Sequence, residues 1–293
     1  MRYLDEAAVR AAISLPAAVS ALRDGLAADT PSQPVRTSTA WTCGELLVMP
    51  AEAGDVAGVK LVTVGQGPVR VQGVYVLFDA ATLTPLVVAD AISLTLVRTA
   101  ALSALATDLL APPTASRLAV FGTGPQAREH VRAMCAVRPV SSVTVVGRTP
   151  AKAATFAASL DAGPGDLRAV PGDTVADADI VCCCTTSATP VVCVADLAPQ
   201  AHVNAIGAHR PDAREVAADV VASSFVVVDD ASAARREAGD LITAVAVGAA
   251  PESVFDVDLA SVVRGSVVPP GGRTLFKSVG FGLADLLVAR LLA

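Results

Sequence analysis

Short apolar runs separated by polar turns fill the first part of the sequence and predict strands. These predicted strands lie at residues 35–49 (around a turn at Cys43-Gly44), 58–64, 73–78 and 85–89. An amphipathic pattern over residues 5–29 precedes them and predicts a helix, which Pro16 interrupts or restarts as a second helix. Because the strands follow one another without long helices, we predict an antiparallel or mixed sheet.

An apolar run at residues 91–110 predicts one long helix, which Pro112-Pro113 ends. From residue 116 to about residue 268, apolar strands alternate with helical patterns, as in a doubly wound α/β domain. Strands are predicted at residues 118–121, 142–146, 179–184, 202–206 and 225–229, and helices at residues 125–137, 150–160 and 212–222.

Two prolines and two glycines at residues 269–272 end the alternation. The remaining residues, 273–293, are predicted to form a short strand and then a helix at residues 282–292. The predicted fold class is α/β, with a doubly wound parallel sheet domain and an α+β domain that the C-terminal helix completes. We predict that the α+β domain spans residues 1–113, that the second domain spans residues 114–272, and that residues 273–293 return to the first.

The predicted strand at residues 118–121 ends in a glycine-rich turn, Gly122-Thr123-Gly124-Pro125-Gln126-Ala127. A strand that turns tightly into a helix leaves backbone N–H groups directed at the turn, where they favour an anion. Gly122 permits the sharp turn, Gly124 lets a pyrophosphate approach the backbone, and Ala127 lets helix and strand pack closely. The motif predicts a dinucleotide site; the alternative is an ordinary glycine turn.

The next predicted strand, residues 142–146, ends at Gly147-Arg148-Thr149, where such a site would contact the adenosine ribose. An NAD(H) site usually has Asp or Glu here to bind the free 2′-hydroxyl. No acid lies between Ser141 and Asp161. Arg148 and Thr149 offer donors that suit a 2′-phosphate, which favours NADP(H) over NAD(H). Alternatively, Arg148 is a solvated surface residue.

Composition and charge narrow the class of protein. Of the 293 residues, 53% are hydrophobic and 3% aromatic, so alanine, valine and leucine must fill the core. The net charge of −6 and the lack of a basic run argue against a nucleic-acid partner. No uninterrupted apolar stretch reaches the length of a membrane span, and the N-terminus has early acids and no apolar signal core. We therefore predict a cytoplasmic protein without a membrane partner.

The six cysteines stand at positions 43, 135, 182, 183, 184 and 193. Three are consecutive on a predicted strand, where neighbouring side chains face opposite ways and cannot converge on one metal. No histidine completes a metal-ligand spacing, so we predict reduced core thiols and no metal site. We expect His130 and His202 to be structural.

Three cations of the first domain, Arg36, Lys60 and Arg98, lie on separate predicted elements beside apolar neighbours. A lysine within a strand needs a partner. Arginine binds a carboxylate through two parallel hydrogen bonds, whereas lysine supplies a point charge. A small carboxylate substrate would explain all three residues, and structural ion pairs would explain each of them singly.

Several stretches of the chain resemble the ornithine cyclodeaminase/mu-crystallin family. They occur in the family's order and cover nearly the whole sequence. They are Gln33-Pro34-Val35-Arg36-Thr37, Met49-Pro50-Ala51, Lys60-Leu61-Val62-Thr63, Arg98-Thr99-Ala100-Ala101, the glycine-rich turn, Asn204-Ala205-Ile206-Gly207-Ala208, Arg210-Pro211-Asp212 and Thr274-Leu275-Phe276-Lys277-Ser278-Val279-Gly280. The resemblance is greatest to the mu-crystallin-like ketimine reductase branch.

This resemblance implies a homodimer with a Rossmann domain and a substrate-binding domain that also forms the dimer. It implies that Arg36, Lys60 and Arg98 hold the substrate carboxylate near the nicotinamide, and that Arg148 contacts the NADP phosphate. It places four more residues close to the cofactor: Thr185, Thr186, Lys277 and Ser278. Members of the family reduce cyclic ketimines or imino acids, make proline from ornithine, or oxidise alanine.

One position departs from the cyclodeaminase branch. There the Ile-Gly-Ala/Ser motif is followed by an Asp that serves acid/base chemistry at the substrate amine, whereas this chain has His209. Neutral imidazole can accept a proton but cannot pair electrostatically with an ammonium group. His209 therefore favours imine reduction over ornithine cyclisation, or it is a first-turn residue with no chemical role.

These observations predict an NAD(P)H-dependent reductase of a small imino acid such as pyrroline- or piperideine-2-carboxylate. Arg36, Arg98 and Lys60 would orient the carboxylate for hydride transfer, and Lys60 or His209 would protonate the imine. One alternative is an ornithine or lysine cyclodeaminase, or an alanine dehydrogenase-type enzyme, with bound NAD. The other is a non-catalytic protein that binds NADPH and a small carboxylate.

Overall fold

The computed structural model describes residues 2–28, 33–65, 71–161 and 167–293. Its contacts divide the chain into two compact units. The first unit comprises Met1–Leu102 and Phe281–Ala293, and the second comprises Ser103–Gly280. The predicted domain limits at residues 113 and 272 lie nearby but do not coincide with this division.

The first unit is built on a six-stranded sheet of order β1-β6-β5-β4-β3-β2. Its elements are β1 (Arg2–Leu4), α1 (Glu6–Ala12), α2 (Leu15–Ala27), β2 (Thr37–Trp41), β3 (Gly44–Ala53), β4 (Val56–Gly65), β5 (Val71–Asp79), β6 (Pro85–Asp90), the first part of α3 (Ala91–Leu110), and α10 (Gly282–Ala289). Strand β1 pairs with β6 in parallel and the other pairs are antiparallel, so the mixed sheet is confirmed. Pro16 opens α2, which Ser14 caps.

Helix α10 packs against β3, β4 and α2. Two glycines allow this close approach. A Cβ atom at Gly282 would lie 2.6 Å from the carbonyl oxygen of Pro50, and one at Gly25 would overlap the side chain of Leu287. Residues from Leu283 to Ala289 are all buried, and Asp285 is the one charged residue among them.

Helix α3 is long and apolar enough, by length and composition alone, to cross a membrane. Its sequence holds no uninterrupted apolar run of that length, because Arg98 and Asp108 interrupt it. Of its most apolar 18-residue window, 72% is buried inside the protein. Burial in the core therefore accounts for its composition.

The second unit is a doubly wound α/β fold with a seven-stranded sheet of order β12-β13-β11-β10-β7-β8-β9. All of its strand pairs are parallel. Its elements are the rest of α3, β7 (Arg117–Phe121), α4 (Pro125–Val137), β8 (Ser142–Val146), α5 (Pro150–Asp161), β9 (Arg168–Pro171), β10 (Ile180–Cys183), β11 (His202–Ala205), α6 (Ala218–Ala222), β12 (Phe225–Val228), α7 (Ala231–Glu237), α8 (Gly239–Ala246), α9 (Leu259–Val263) and β13 (Thr274–Lys277).

The helix predicted at residues 212–222 is wrong over its first half. Only Ala218–Ala222 is helical, because the backbone N–H groups of Glu215 and Val216 donate to the side chain of Asp240. Val216 also forms a bridge with Val192. The strands and α-helices that the sequence pattern did not predict are all short: β1, β9, α7, α8 and α9.

The predicted structural histidines are fully buried. His130 lies between the Gln126 carbonyl oxygen and the Ser103 hydroxyl, and burial lowers its pKa to about 4. The Nδ1 atom of His202 lies 2.8 Å from the Thr274 hydroxyl oxygen, and burial lowers its pKa to about 3. Both pKa values keep the rings neutral near pH 7.

The six cysteines are free thiols, but they are not all in the core. Cys182 and Cys183 are buried on β10, whereas Cys43 and Cys135 are exposed. The prediction of core thiols therefore fails for these last two, because each lies at a surface turn or on the outer face of a helix. Among the described residues, no group of three His, Cys, Asp or Glu side chains could hold a metal ion.

Candidate functional site

The glycine-rich turn has the backbone geometry that the sequence predicts. Gly122 has a φ of +112°, and a Cβ atom there would lie 2.6 Å from the carbonyl oxygen of Cys184. Its N–H donates to the carbonyl oxygen of Val146 at 2.9 Å. Glycine is thus required at this position by both conformation and space.

The N-terminus of α4 opens onto free space. Gly124 is its N-cap and has no side chain to satisfy the first helical N–H groups, and a Cβ atom there would meet no atom within 4 Å. Pro125 occupies the first turn, and Ala127 is fully buried at the helix–sheet contact. A helix start without a capping side chain, beside an open cradle, fits a pyrophosphate.

Between β8 and α5 the chain presents Arg148 and Thr149 to solvent. A Cβ atom at the preceding Gly147 would lie 3.3 Å from the methyl group of Thr123, so this turn packs against the glycine-rich turn. Within the described chain, Arg148 has no ion-pair partner. Its guanidinium is therefore available for an anion at the end of β8.

In the first unit, Lys60 and Arg98 converge on a single carboxylate, that of Asp285. The Lys60 Nζ atom lies 3.0 Å from Oδ1 and 2.8 Å from Oδ2, and the Arg98 Nε–H donates to Oδ1 at 2.9 Å. Asp285 is fully buried, and Lys60 and Arg98 are 4% and 5% exposed. Three elements that are distant in sequence therefore meet at one buried charge cluster.

Local structure explains how each member of this cluster is placed. Lys60 stands in the middle of β4, opposite Tyr75 on β5 and Met49 on β3. Arg98 lies in the first half of α3, and Asp285 lies on the face of α10 that approaches β4. Sequence reasoning missed Asp285. The available signal was a lone acid inside an apolar helix, which requires a buried partner.

The cluster carries an excess of positive charge, because two buried cations share one carboxylate. Burial lowers the pKa of Lys60 to about 8; Asp285 opposes this shift, and Arg98 and Arg36 add to it. Arg36 is half-buried and close enough to Lys60 to act on its pKa. The three predicted cations therefore lie near one another.

Part of Arg98 stays available for a ligand. Only its Nε–H donates to Asp285. Within the described part of the chain, its two Nη groups have no protein acceptor. A guanidinium held at Nε and open at Nη can bind a second carboxylate with two parallel hydrogen bonds.

The other predicted site residues lie in the second unit. Thr185 donates to Glu215 from its backbone N–H (2.6 Å) and hydroxyl (2.8 Å), and Thr186 is exposed. His209 is exposed, with Nδ1 3.1 Å from the carbonyl oxygen of Gly207. Positions 185, 186 and 209 thus carry two threonines and a histidine, and none of them carries an acid.

Lys277 and Ser278 point into the protein interior. The Lys277 Nζ atom lies 2.7 Å from Asp240 Oδ2 and 2.6 Å from the carbonyl oxygen of Ala208. The Ser278 hydroxyl donates to Asp229 at 2.7 Å. These side chains are engaged in buried hydrogen bonds, so their contact with a cofactor stays a prediction.

Comparisons with known proteins agree over most of the chain. The family model for the ornithine cyclodeaminase/mu-crystallin family matches residues 4–293. A Delta(1)-pyrroline-2-carboxylate reductase of Bacillus cereus is 34% identical over 278 residues, covering 88% of this chain and 84% of the relative. The ketimine reductase mu-crystallin of Mus musculus is 34% identical over 271 residues, covering 88% and 83%.

A solved structure shares the fold. Thermococcus litoralis Delta(1)-pyrroline-2-carboxylate reductase, in complex with NADH and L-proline, matches with a TM-score of 0.91 at 27% identity, covering 99% of this chain and 96% of that chain. The glycine-rich turn, the cationic cluster and the comparisons agree: the chain belongs to the ornithine cyclodeaminase/mu-crystallin family.

Proposed function

We propose that this chain is an NAD(P)H-dependent reductase of a small imino acid. It converts a 2-imino carboxylate into the corresponding amino acid by hydride transfer to the C=N carbon. The observation that carries the proposal is the buried pair Lys60 and Arg98, which share the single carboxylate of Asp285. Relatives named as pyrroline-2-carboxylate reductase and ketimine reductase support the same reaction.

The chemistry of the cationic cluster explains why a carboxylate is bound. A buried positive charge without a counter-ion is costly, and an incoming carboxylate removes that cost. The open Nη groups of Arg98 supply the matching geometry. Arg36 adds positive charge near Lys60. The first unit thus holds the acid group of the substrate, and the second unit holds the dinucleotide.

Lys60 is suited to protonate the imine nitrogen. With a pKa of about 8, it is a stronger acid near neutral pH than an ordinary lysine. A bound NAD(P)H would supply the hydride that the imine carbon accepts. The nitrogen gains the proton from Lys60, which solvent then reprotonates. His209, the other predicted donor, is exposed and lies in the second unit.

The direct test is NADPH oxidation with pyrroline-2-carboxylate or piperideine-2-carboxylate as the substrate. We expect turnover and formation of proline or pipecolate. Binding of NADPH without turnover of any imino acid would contradict the proposal. Release of ammonia from ornithine or lysine, with no net change in the cofactor, would instead identify a cyclodeaminase.

The phosphorylated cofactor is the finer part of the proposal. The exposed guanidinium of Arg148 at the end of β8, with the hydroxyl of Thr149 beside it, suits a 2′-phosphate. We expect Arg148→Ala to lower kcat/KM for NADPH by about ten- to 100-fold, the value of one charge-assisted hydrogen bond. The kcat/KM for NADH should be unchanged in the same variant. Equal losses with both cofactors would refute a role in phosphate recognition.

We also propose that the chain forms a homodimer through its first unit. Strand β2 is an edge of the first sheet, every residue from Thr37 to Trp41 is exposed, and Trp41 is 56% exposed. Proteins usually cover such an edge or blunt it with charge. Light scattering should give twice the mass of one chain, and a monomer mass would contradict the proposal.

A further inference from the structure

Three neighbouring strands of the second sheet, β10, β11 and β13, end at the same edge, because parallel strands share one direction. Ligands of open α/β sheets bind at the carboxyl ends of the strands. The glycine-rich turn follows β7, and the Arg148 turn follows β8 on one side of it. The strand ends on the other side, those of β10 and β11, would therefore face the remaining half of a dinucleotide bound at the glycine-rich turn.

Glu215 bridges the loops that follow β10 and β11. One carboxylate oxygen, Oε1, accepts hydrogen bonds from the Thr185 N–H (2.6 Å) and the Thr185 hydroxyl (2.8 Å). The other, Oε2, accepts from the N–H groups of Gly207 (2.5 Å) and Ala208 (3.2 Å). Each oxygen thus accepts hydrogen bonds from one loop, and the carboxylate sets the spacing between the two loops.

The backbone of Glu215 is held as firmly as its side chain. Its N–H donates to Asp240 Oδ1 at 2.6 Å, and its carbonyl oxygen accepts from the N–H of Val191 at 2.8 Å. The second oxygen of Asp240 pairs with Lys277, whose Nζ also donates to the carbonyl oxygen of Ala208. Glu215, Asp240 and Lys277 therefore tie the ends of three strands together.

The two loops are closely packed at Gly207. A Cβ atom at Gly207 would overlap the carbonyl oxygen of Thr185 and would lie 2.6 Å from Oε1 of Glu215. Glu215 is itself fully buried. Burial raises its pKa, while Lys277 and the hydrogen bonds from Thr185 and Gly207 act in the opposite direction. Both oxygens of Glu215 accept hydrogen bonds from N–H or O–H donors, as the oxygens of an ionised carboxylate do.

We propose that Glu215 is a positioning residue for hydride transfer. It fixes the Thr185 and Gly207 loops at the separation that orients the nicotinamide half of the cofactor. The inference rests on the proposed function, in that the second unit binds NAD(P)H. A neutral amide cannot replace the carboxylate, because its NH₂ group would face the N–H donors of one of the two loops.

The experiment compares Glu215→Gln with Glu252→Gln in the full-length protein. Glu252 is an exposed residue of the second unit, paired only at the surface with Arg235, so the same substitution there is a matched control. The first readout is NADPH binding, followed by nicotinamide fluorescence. For Glu215→Gln we expect a Kd within about threefold of the parent, because pyrophosphate and ribose contacts remain, but a loss of the fluorescence enhancement of the bound ring.

The second readout is the rate with 4-deuterated NADPH and pyrroline-2-carboxylate. For Glu215→Gln we expect kcat to fall by about 10²-fold, as when reacting groups are misplaced, with a larger isotope effect on kcat/KM. If this variant does not fold, Glu215→Asp keeps the charge but shortens the reach, and should show the same changes to a smaller degree.

The outcomes separate the two claims. Unchanged nicotinamide fluorescence, kcat and isotope effect in the folded Glu215 variants would overturn the positioning role and leave the proposed reaction standing. If the parent protein binds NADPH but reduces no imino acid, the reaction is refuted, and the fluorescence comparison still decides the role of Glu215.

Discussion

Replacing Lys60 with methionine is expected to lower kcat by about 10²–10⁴-fold, the usual contribution of a positioned proton donor. The fold should survive, because Asp285 keeps its hydrogen bond with Arg98 and one of two like charges is removed. NADPH binding should be unaffected, since the predicted cofactor residues lie in the second unit. The measurement is steady-state reduction of pyrroline-2-carboxylate, together with a fluorescence titration of NADPH.

The pH profile tests the same residue independently. Lys60 has a pKa of about 8, so kcat/KM of the parent protein should decline above that pH as the side chain loses its proton and charge. Lys60→Arg keeps a permanent charge, so its lower activity should show no such decline. A parent profile that stays flat to pH 10, or the same decline in Lys60→Arg, would contradict proton donation by Lys60.

Replacing Asp285 with asparagine is expected to destabilise the protein by about 3–5 kcal/mol, because removal of one partner leaves buried charge uncompensated. Lys60 and Arg98 would then face each other without a counter-ion. The free energy of unfolding in urea, followed by circular dichroism, gives the measurement. The matched control is Asp55→Asn, which removes an exposed pair with Arg290 and should cost at most about 1 kcal/mol.

A double variant shows whether the stability lost in Asp285→Asn is lost because buried charge is left without a partner. Lys60→Met combined with Asp285→Asn removes one of the two unpaired cations, so it should be more stable than Asp285→Asn alone. If Asp285→Asn is no less stable than the Asp55 control, or if the double variant is simply additive, the buried charge is not what Asp285 compensates.

The sequence was informative where the signal is local. The glycine-rich turn, its strand and its helix lie within about twenty residues, and each glycine has a conformational reason that can be inferred without coordinates. Arg36, Lys60 and Arg98 were recognisable because each is a cation among apolar neighbours. The alternation of strands and helices is also a local pattern, and it predicts the doubly wound fold.

Non-local pairing limited the rest. Asp285 is 225 positions from Lys60 and 187 from Arg98 in sequence, and no spacing rule joins them. The sequence pattern predicts a helix at Glu215. The segment is not helical there because its backbone N–H donates to the distant side chain of Asp240. The family resemblance places Lys277 near the cofactor; its side chain is buried against Asp240, and its contact with a cofactor stays a prediction. When charges compensate one another in the core, the sequence shows that each charge needs a partner. It does not show which residue the partner is.

Binding of the substrate carboxylate by the buried cations is best tested by comparing pyrroline-2-carboxylate with its neutral carboxamide. With NADPH and the unmodified protein, kcat/KM for the carboxylate should exceed that for the carboxamide by about 10²-fold or more, as expected when a buried charge loses its partner. The two substrates share the C=N bond and the ring, so they differ only at the group that Lys60 and Arg98 would hold. Equal kcat/KM values for the two would contradict the assignment of these residues to the substrate.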